Sequence, residues 1–571
     1  MSAASADSSR TVAALATAAV AMAPLALAGA GSSVWLAGHD GLWLGLGTAC
    51  GMVVAGTLLA PPLARGGTPS IAAWLAARYS ASTRFVAAAI VALALVVLLS
   101  GQLASIGSVM HHTFGLPREA AIPVVGALAL LAALLGTRWA MRIAAVCAAV
   151  AILAILLLGV ALTASAGAAL PIAYGGLLQD LSRLEVGLIA QKLADAATMK
   201  AHATPYVSLD GTSLFGALAG TIAGTAALAA LAQRQTSVHD ADAARSACAW
   251  GLIALLPVLV LMPAIAIAIK LALYRALAGP LPIAAAPDWL LQLMGSGLAT
   301  LCGGQPADAA AAATACKTAA GSKGFLRLQD LGLDGAATWL AGADIAGLHP
   351  AMRTVPAIAA LAAALAACVA ALSATTALTT AADDTGHRWR GRFLAAVAAA
   401  VAIGLALLAP EHAGHMTPWI LPLLASSLLP VLLLGLWWRR ATSAGAIAGL
   451  AAGAGLALYY LVTTRYFPVG FYDLWQSLSP ASLGAERKFI TLRDAWTAAA
   501  DGPAKTAAWN ALAGHARGIA SWLGLKPAAV ALLGLPAAVV AMVLVSLATR
   551  RPDADVERLF DRAHAPSVTP P

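Results

Sequence analysis

The chain has 571 residues, of which 61% are hydrophobic and only 10% charged, with a mean hydropathy of +0.84. A soluble globular protein carries about 25% charged residues, so this chain has too little polar surface to form a water-soluble particle. Its net charge of +9 invites a nucleic-acid partner, but the positive residues are scattered through short loops between apolar runs, which excludes one.

Apolar stretches of roughly 20 residues recur along the chain, each long enough to cross about 30 Å of hydrocarbon as a helix. The runs are continuous rather than alternating, which excludes a single-chain β-barrel. In chain order the pattern predicts twelve transmembrane helices, near 12–36, 43–63, 83–111, 119–136, 141–168, 211–232, 246–274, 354–382, 391–409, 417–438, 442–463 and 527–549. The segment after Arg10 stays apolar for too long to be a cleavable signal peptide and leads directly into further spans.

Orientation follows from Lys and Arg in the short loops. One alternating set of loops holds Arg10, Arg65, Arg78, Arg84, Arg138, Arg142, Arg234, Arg245, Arg388, Arg390, Arg392, Arg439, Arg440, Arg550, Arg551, Arg558 and Arg562. The opposite short loops hold Arg118 alone. Both termini are therefore expected in the cytoplasm, with the longer loops near 169–210, 275–353 and 464–526 in the periplasm of a bacterial-type cell. The expected localisation is the cell inner (plasma) membrane, multi-pass, with the lipid bilayer as partner. Cys302 and Cys316 share the 275–353 loop, and an oxidising compartment would let them pair; two free thiols is the alternative. Cys50, Cys147, Cys248 and Cys368 lie in apolar spans and read as small buried hydrophobes.

Several spans carry features that a pore would use. In the first, Pro24 precedes "LALAGAGSS"; Pro24 removes a backbone donor, and Gly29 and Gly31 loosen the next turn. Ser32 and Ser33 add hydroxyls. This reads either as a helix break lining a cavity or as close small-residue packing. Gln102 is a lone amide in an apolar helix and should face the bundle interior, for substrate contact or for an interhelical hydrogen bond. Gly216, Gly220 and Gly224 repeat every four residues and form a packing stripe. Ser373, Thr375, Thr376, Thr379 and Thr380 make a hydroxyl-rich inner half of helix 354–382, some of them able to bond their own helix carbonyls. Lys270, near the outer end of its span, is expected to snorkel to water. Asp383 and Asp384 suit a solvated ion-pair cluster with Arg388 and Arg390.

Stretches throughout the chain resemble the sodium:solute symporter family, most closely its acetate-permease-like branch. They include "AGTAALAALAQRQTSVHDADAARSACAW" (223–250), "ATMKAHATPYVSLD" (197–210), "RRATSAGAIAGLAAGAGLALYYLV" (439–462), "VSLATRRPDADVERLFDRAHAP" (545–566), "LLAPPLARGG" (58–67) and "GQLASIG" (101–107). The resemblance implies an all-α fold of two inverted five-helix repeats, as in other transporters with helices broken at the midplane. Its expected divisions are a cytoplasmic N-terminus (1–10), a first repeat (11–172), a periplasmic loop (173–210), a second repeat (211–438) and two further helices (439–549). A cytoplasmic tail (550–571) follows. It also implies a pore-facing role for Thr221 and Thr225. The expected substrate-binding set is Gly29, Gly31, Ser32, Gln102, Thr221, Thr225, Ser373 and Thr376.

The sequence departs from the family where the coupling sodium is held. The family's Ser-Thr pair corresponds to Ala366 and Ala367, its Asp early in the first repeat helix to Ala19, and its nearby Ser to Met22. Alanine offers a hard cation only its backbone carbonyl, and each unreplaced ligand leaves an ion partly resolvated. No Asp or Glu remains deep inside a span to relay protons instead. The expectation is a secondary transporter of a small organic solute, a monocarboxylate such as acetate, with a weakened or lost sodium site. The alternative is a non-transporting scaffold or sensor that keeps the symporter fold. No metal constellation, nucleophile–base pair or phosphate loop points to an enzyme, and nothing calls for a cofactor.

Overall fold

The computed structural model describes residues 3–25, 30–68, 70–167, 174–194, 201–231, 240–277, 282–295, 298–302, 304, 308–318, 326–333, 335–378, 385–410 and 416–564. The first expected span is two helices, α1 (Ala3–Met22) and α2 (Ala30–Ala37), with Ala23–Leu25 as a single 3₁₀ turn after the first. Pro24 lacks the N–H that would continue the α ladder, so the helix stops there. Next, α3 (Trp43–Val54) passes through a π turn, Ala55–Leu59, into α4 (Ala60–Arg65). Pro62 leaves the Leu58 carbonyl without its helical donor, and the indole of Trp437 supplies one at 3.1 Å.

Helices α5 (Ile71–Arg78), α6 (Ala81–Phe114), α7 (Arg118–Leu134) and α8 (Thr137–Ser165) complete the first half. The hydroxyl of Ser80 caps α6 by accepting the Thr83 N–H at 3.2 Å. After α9 (Tyr174–Ala190), the second half begins with α10 (Gly211–Leu231) and α11 (Ala241–Ala276). Between α11 and the next span lie α12 (Asp288–Gly295), α13 (Ala309–Thr318), α14 (Gly335–Ile345) and an antiparallel pair, β1 (Ala299–Leu301) with β2 (Leu331–Leu333). A disulfide joins Cys302 to Cys316 in this insertion.

The second half continues with α15 (Val355–Ala377), α16 (Thr385–Leu408), α17 (Ile420–Ser426) and α18 (Leu428–Trp437). Beyond it stand α19 (Ser443–Tyr466), three short helices, α20 (Pro468–Trp475), α21 (Leu483–Ala498) and α22 (Pro503–Ile519), then α23 (Ala531–Ala548) and α24 (Ala554–His564). Among the described residues, ten helical stretches are long and apolar enough to cross a membrane, where the sequence led us to expect twelve. The difference has a physical origin. The first expected span is interrupted, leaving Arg10–Met22 as its apolar stretch of α1, and the fourth, α7, has 17 residues.

The helices pair as an inverted repeat requires. Numbering the expected spans in chain order, the first (α1) packs chiefly on the seventh (α11) and the fifth (α8). The sixth (α10) packs on the second (α3) and the tenth (α17). Exchanging each span with the one five places later turns the first set of contacts into the second. The third and eighth, α6 and α15, map onto each other and touch. Glycines set the closeness of α10: a Cβ on Gly224 would stand 2.2 Å from the Leu421 carbonyl oxygen, and one on Gly216 or Gly220 would strike residues 529–532. The stripe is a packing seam, as its spacing suggested.

Candidate functional site

The break after Met22 is held from the side. The Gln102 amide donates to the Ala23 carbonyl at 2.9 Å. That carbonyl belongs to the turn where the helix stops. Of the two roles the sequence left open for Gln102, the structure shows the interhelical hydrogen bond.

Beside the break lies a cavity of about 50 Å³, several times the 10–15 Å³ that one water needs. Val20 and Ala23 face Ala367, Ala370 and Ala371 across it, with Leu228 and Leu231 of α10 closing another wall. Ser373 brings a hydroxyl to the lining, donating to the Ala370 carbonyl at 2.9 Å. Its neighbours behave likewise: Thr375 donates to Leu372 and Thr376 to Ser373, each at 2.7 Å. The positions matched to the family's sodium ligands, Ala19, Met22, Ala366 and Ala367, are all buried. Met22 lies against a second void of about 20 Å³ with Ala359, Ala360 and Ala363.

Thr221 and Thr225 do not line the cavity. They sit in the seam with α3, where a Cβ on Gly47 or Gly51 would come within 2.6 Å of their Cβ atoms. Thr221 donates to the Ala217 carbonyl at 2.8 Å. The wall that α10 presents is Leu228 and Leu231, one to two turns further along. Gly31 and Ser32 open α2, while Gly29, Thr379, Thr380, Asp383 and Asp384 lie outside the described residues.

The sequence reading missed a polar cluster at the end of the bundle where the long loops gather. Asp40, 0% exposed, sits in the turn Gly38–Leu42 after α2. Its carboxylate accepts three backbone N–H groups, from Tyr206 and Ser208 at 2.8 Å and from Leu209 at 3.1 Å. Beside it, the His39 N–H donates to the His202 carbonyl at 2.9 Å. A Cβ at Gly38 would meet that same carbonyl oxygen at 2.6 Å, and Gly38 has φ +59°, so glycine is required there twice over.

Lys270 corrects the snorkelling expectation. It is 9% exposed, and its ammonium donates to the Trp35 carbonyl at 3.3 Å and to His202 Nδ1 at 3.2 Å. It also lies 5.5 Å from the centre of the Trp35 ring and 5.8 Å from that of Tyr274. The Glu185 carboxylate, 3% exposed, accepts the His202 backbone N–H through both oxygens, at 3.2 and 3.3 Å. Burial pushes the Glu185 carboxyl above the usual range, against the His202 N–H and the Lys270 charge. The one available signal was Lys270 itself, a lone cation in an apolar run.

Broken helices at mid-bundle, a cavity at the break and inverted pairing of helices together define a membrane transporter of the fold built from two inverted five-helix repeats. The same overall fold is seen in a Na⁺-coupled sialic acid symporter captured substrate-bound and outward-open. That structure is matched with a TM-score of 0.57 at 10% identity, over 95% of this chain and 91% of that one. A looser match, TM-score 0.42 at 12% identity over 96% of both chains, is the nucleobase-cation-symport-1 transporter Mhp1. By sequence the chain belongs to the sodium:solute symporter family, which it matches over residues 3–302 and 336–453. A curated relative, an uncharacterized symporter of Cupriavidus necator, is 47% identical over 68 residues, which is 11% of this chain and 10% of the relative.

Proposed function

We propose that the protein is a secondary transporter of a small organic solute, a monocarboxylate such as acetate, and that its sodium site is weakened or lost. The observation that carries this is the cavity at the break. It lies beside the helix break, it is small, and Ala367, one of the positions matched to the family's cation ligands, lines it among other alanines. Backbone oxygens at the broken helix remain to meet a solute. One of them, Ala23 O, already accepts Gln102. A sodium ion at this spot would rely on carbonyls with little side-chain help, and each missing ligand weakens its hold. Ser373 and Thr137 bring the hydroxyls that line the cavity. On this reading the end capped by the long loops faces outward, in keeping with the Lys and Arg distribution and with the Cys302–Cys316 disulfide.

The scarcity of polar side chains around the cavity favours a second reading, a non-transporting scaffold or sensor that keeps the fold. Uptake of labelled acetate and other monocarboxylates into proteoliposomes, with and without a sodium gradient, separates them. We expect uptake that a sodium gradient barely changes. Sodium-driven accumulation would sink the lost-site claim, and no uptake of any monocarboxylate would favour the scaffold.

A further inference from the structure

We propose that a second cavity, at the end of the bundle where the long loops gather, is a binding site for a terminal phosphate group, carried on a lipid headgroup or free in solution. The site is separate from the cavity at the helix break and does not depend on what the protein transports.

The cavity has a volume of about 150 Å³, against about 50 Å³ beside the break. Thr464 and Arg465 line it from the last turn of α19, Arg517 from the last turn of α22, and Ser521 and Lys526 from the segment that leads to α23. Trp419 closes one wall. Among the described residues the lining holds three cations and no carboxylate, and none of the three cationic side chains makes a hydrogen bond or ion pair to a described residue. Other cations of the same cap are matched: Arg493 pairs with Asp473 at 3.5 Å and Lys505 with Asp501 at 2.7 Å. The walls are held by bonds in which the cationic groups take no part. The Tyr460 hydroxyl donates to the Leu525 carbonyl, the Ser479 hydroxyl to the Ser521 carbonyl at 2.6 Å, and the Lys526 backbone N–H to the Ser213 hydroxyl at 3.1 Å. The carbonyl ends of α19 and α22 favour cations, which lowers the cost of gathering like charges. A frame fixed in advance also spares a ligand the cost of ordering it.

The chemistry of the lining selects the ligand. A terminal phosphate carries a charge of about −1.5 to −2 at pH 7 and three acceptor oxygens, one for each cation. Two of those cations are guanidiniums, whose forked donors suit phosphate. A monocarboxylate brings a single charge and two oxygens in one plane, and a phosphodiester headgroup a single charge and two free oxygens, so each leaves part of the lining unanswered. The Ser521 hydroxyl reaches the Ile519 carbonyl only at 3.5 Å and can turn toward a bound oxygen. The volume is roughly ten times the 10–15 Å³ that one water needs, so a phosphate group enters with water around it. Arg465 stands at the end of the Ser443–Tyr466 span and Lys526 immediately before the Pro527–Ala548 span. A headgroup at the membrane surface therefore meets the same cations as an ion arriving from solution.

The test uses the purified full chain and two probes. Equilibrium dialysis against radiolabelled inorganic phosphate, in detergent, measures binding of the free ion. Native mass spectrometry of protein released from nanodiscs of phosphatidylcholine doped with phosphatidate counts retained phosphatidate. We expect saturable binding of at least one probe. Arg517→Gln should weaken it roughly tenfold to a hundredfold, through loss of one charge-assisted bond. Lys505→Gln, the same charge change at the other end of α22, should leave it unchanged. Without either probe, Arg517→Gln should melt no lower than the native protein, because it removes one of three repelling charges. Where it does melt lower, Lys526→Gln at an exposed position decides in its place. Binding of inorganic phosphate alone assigns the site to the free ion and binding of phosphatidate alone to a lipid; either supports the shared chemistry. Binding of neither probe, unchanged affinity in the deciding variant, an equal loss in Lys505→Gln, or displacement of bound phosphate by acetate as readily as by phosphate would overturn the proposal.

Discussion

Replacing Asp40 by Asn removes one charge and no volume, and the structure says what should follow. In the native protein one carboxylate oxygen accepts Tyr206 N–H and the other accepts Ser208 and Leu209 N–H. Hydrogen bonds to a charged acceptor contribute about 1.5–3 kcal/mol each, against about 1 kcal/mol for neutral ones. An asparagine oxygen turned toward Ser208 and Leu209 keeps two bonds, each weakened by about 1 kcal/mol. Its NH₂ then faces the Tyr206 N–H, donor against donor, and that buried amide loses its partner at about 1–3 kcal/mol. The total is roughly 3–5 kcal/mol against local closure of this loop, or about two to three and a half decades in exchange rate at 1.4 kcal/mol per decade. Tyr206 also stands at φ +63°, a left-handed backbone that costs a non-glycine residue about 1–2 kcal/mol and that the Asp40 bonds help to hold. Hydrogen exchange by mass spectrometry, on peptides spanning 203–210, reads this directly. Peptides from α19 serve as an internal control. Unchanged protection in this loop in Asp40→Asn would refute the argument that the buried carboxylate holds it.

Two further predictions test packing and topology. Gly224→Ala should lower the melting temperature in detergent by several degrees, or prevent folding, because its Cβ would lie 2.2 Å from the Leu421 carbonyl oxygen. Gly455→Ala, in open space on α19, should leave it unchanged or raise it slightly, helix propensity alone favouring alanine by about 1 kcal/mol. Opening the Cys302–Cys316 disulfide, which spans 14 residues, should cost the insertion about 3 kcal/mol on the chain-entropy account and speed its proteolysis. An impermeant reductant added outside right-side-out cells should produce the same faster cleavage; protection from it would reverse the proposed orientation.

The parts of this protein that depend on local pattern are readable in its sequence. Twelve apolar runs, the stop at Pro24 and the small-residue seam of α10 all follow from residues within a few turns of one another. The faces of α10 were harder. Gly216, Gly220, Gly224 and the pair Thr221, Thr225 repeat at the same four-residue spacing, so periodicity marks the stripes without saying which one meets the cavity. That was decided by Gly47 and Gly51, in another span, whose missing side chains draw the threonines into the α3 seam. The outer cluster was beyond reach for the same reason. Lys270 and His202 are 68 residues apart, and Asp40 and Tyr206 are 166 apart. A lone lysine near the end of a span snorkels if water lies above it and is buried if a loop covers it. Only the folded cap distinguishes the two.

The distribution of polarity through the bundle bears on what could drive it. A ligand shifts a conformational equilibrium only by its difference in affinity for the two states. In a sodium-driven carrier that difference is supplied largely by a cation gripped at mid-bundle. Here the residues around the break are alanine, valine and leucine, with the hydroxyls of Ser373 and Thr137 in the lining, and the buried charges stand away from it, Lys270, Glu185 and Asp40 at the capped end and Arg78 on the Gly435, Trp438 and Ala441 carbonyls. On the proposed reading the cavity therefore offers a cation little beyond backbone oxygens and two hydroxyls. The driving term must then come from the solute's own gradient. A cation binding equally well to both states through backbone oxygens would occupy the site without moving it.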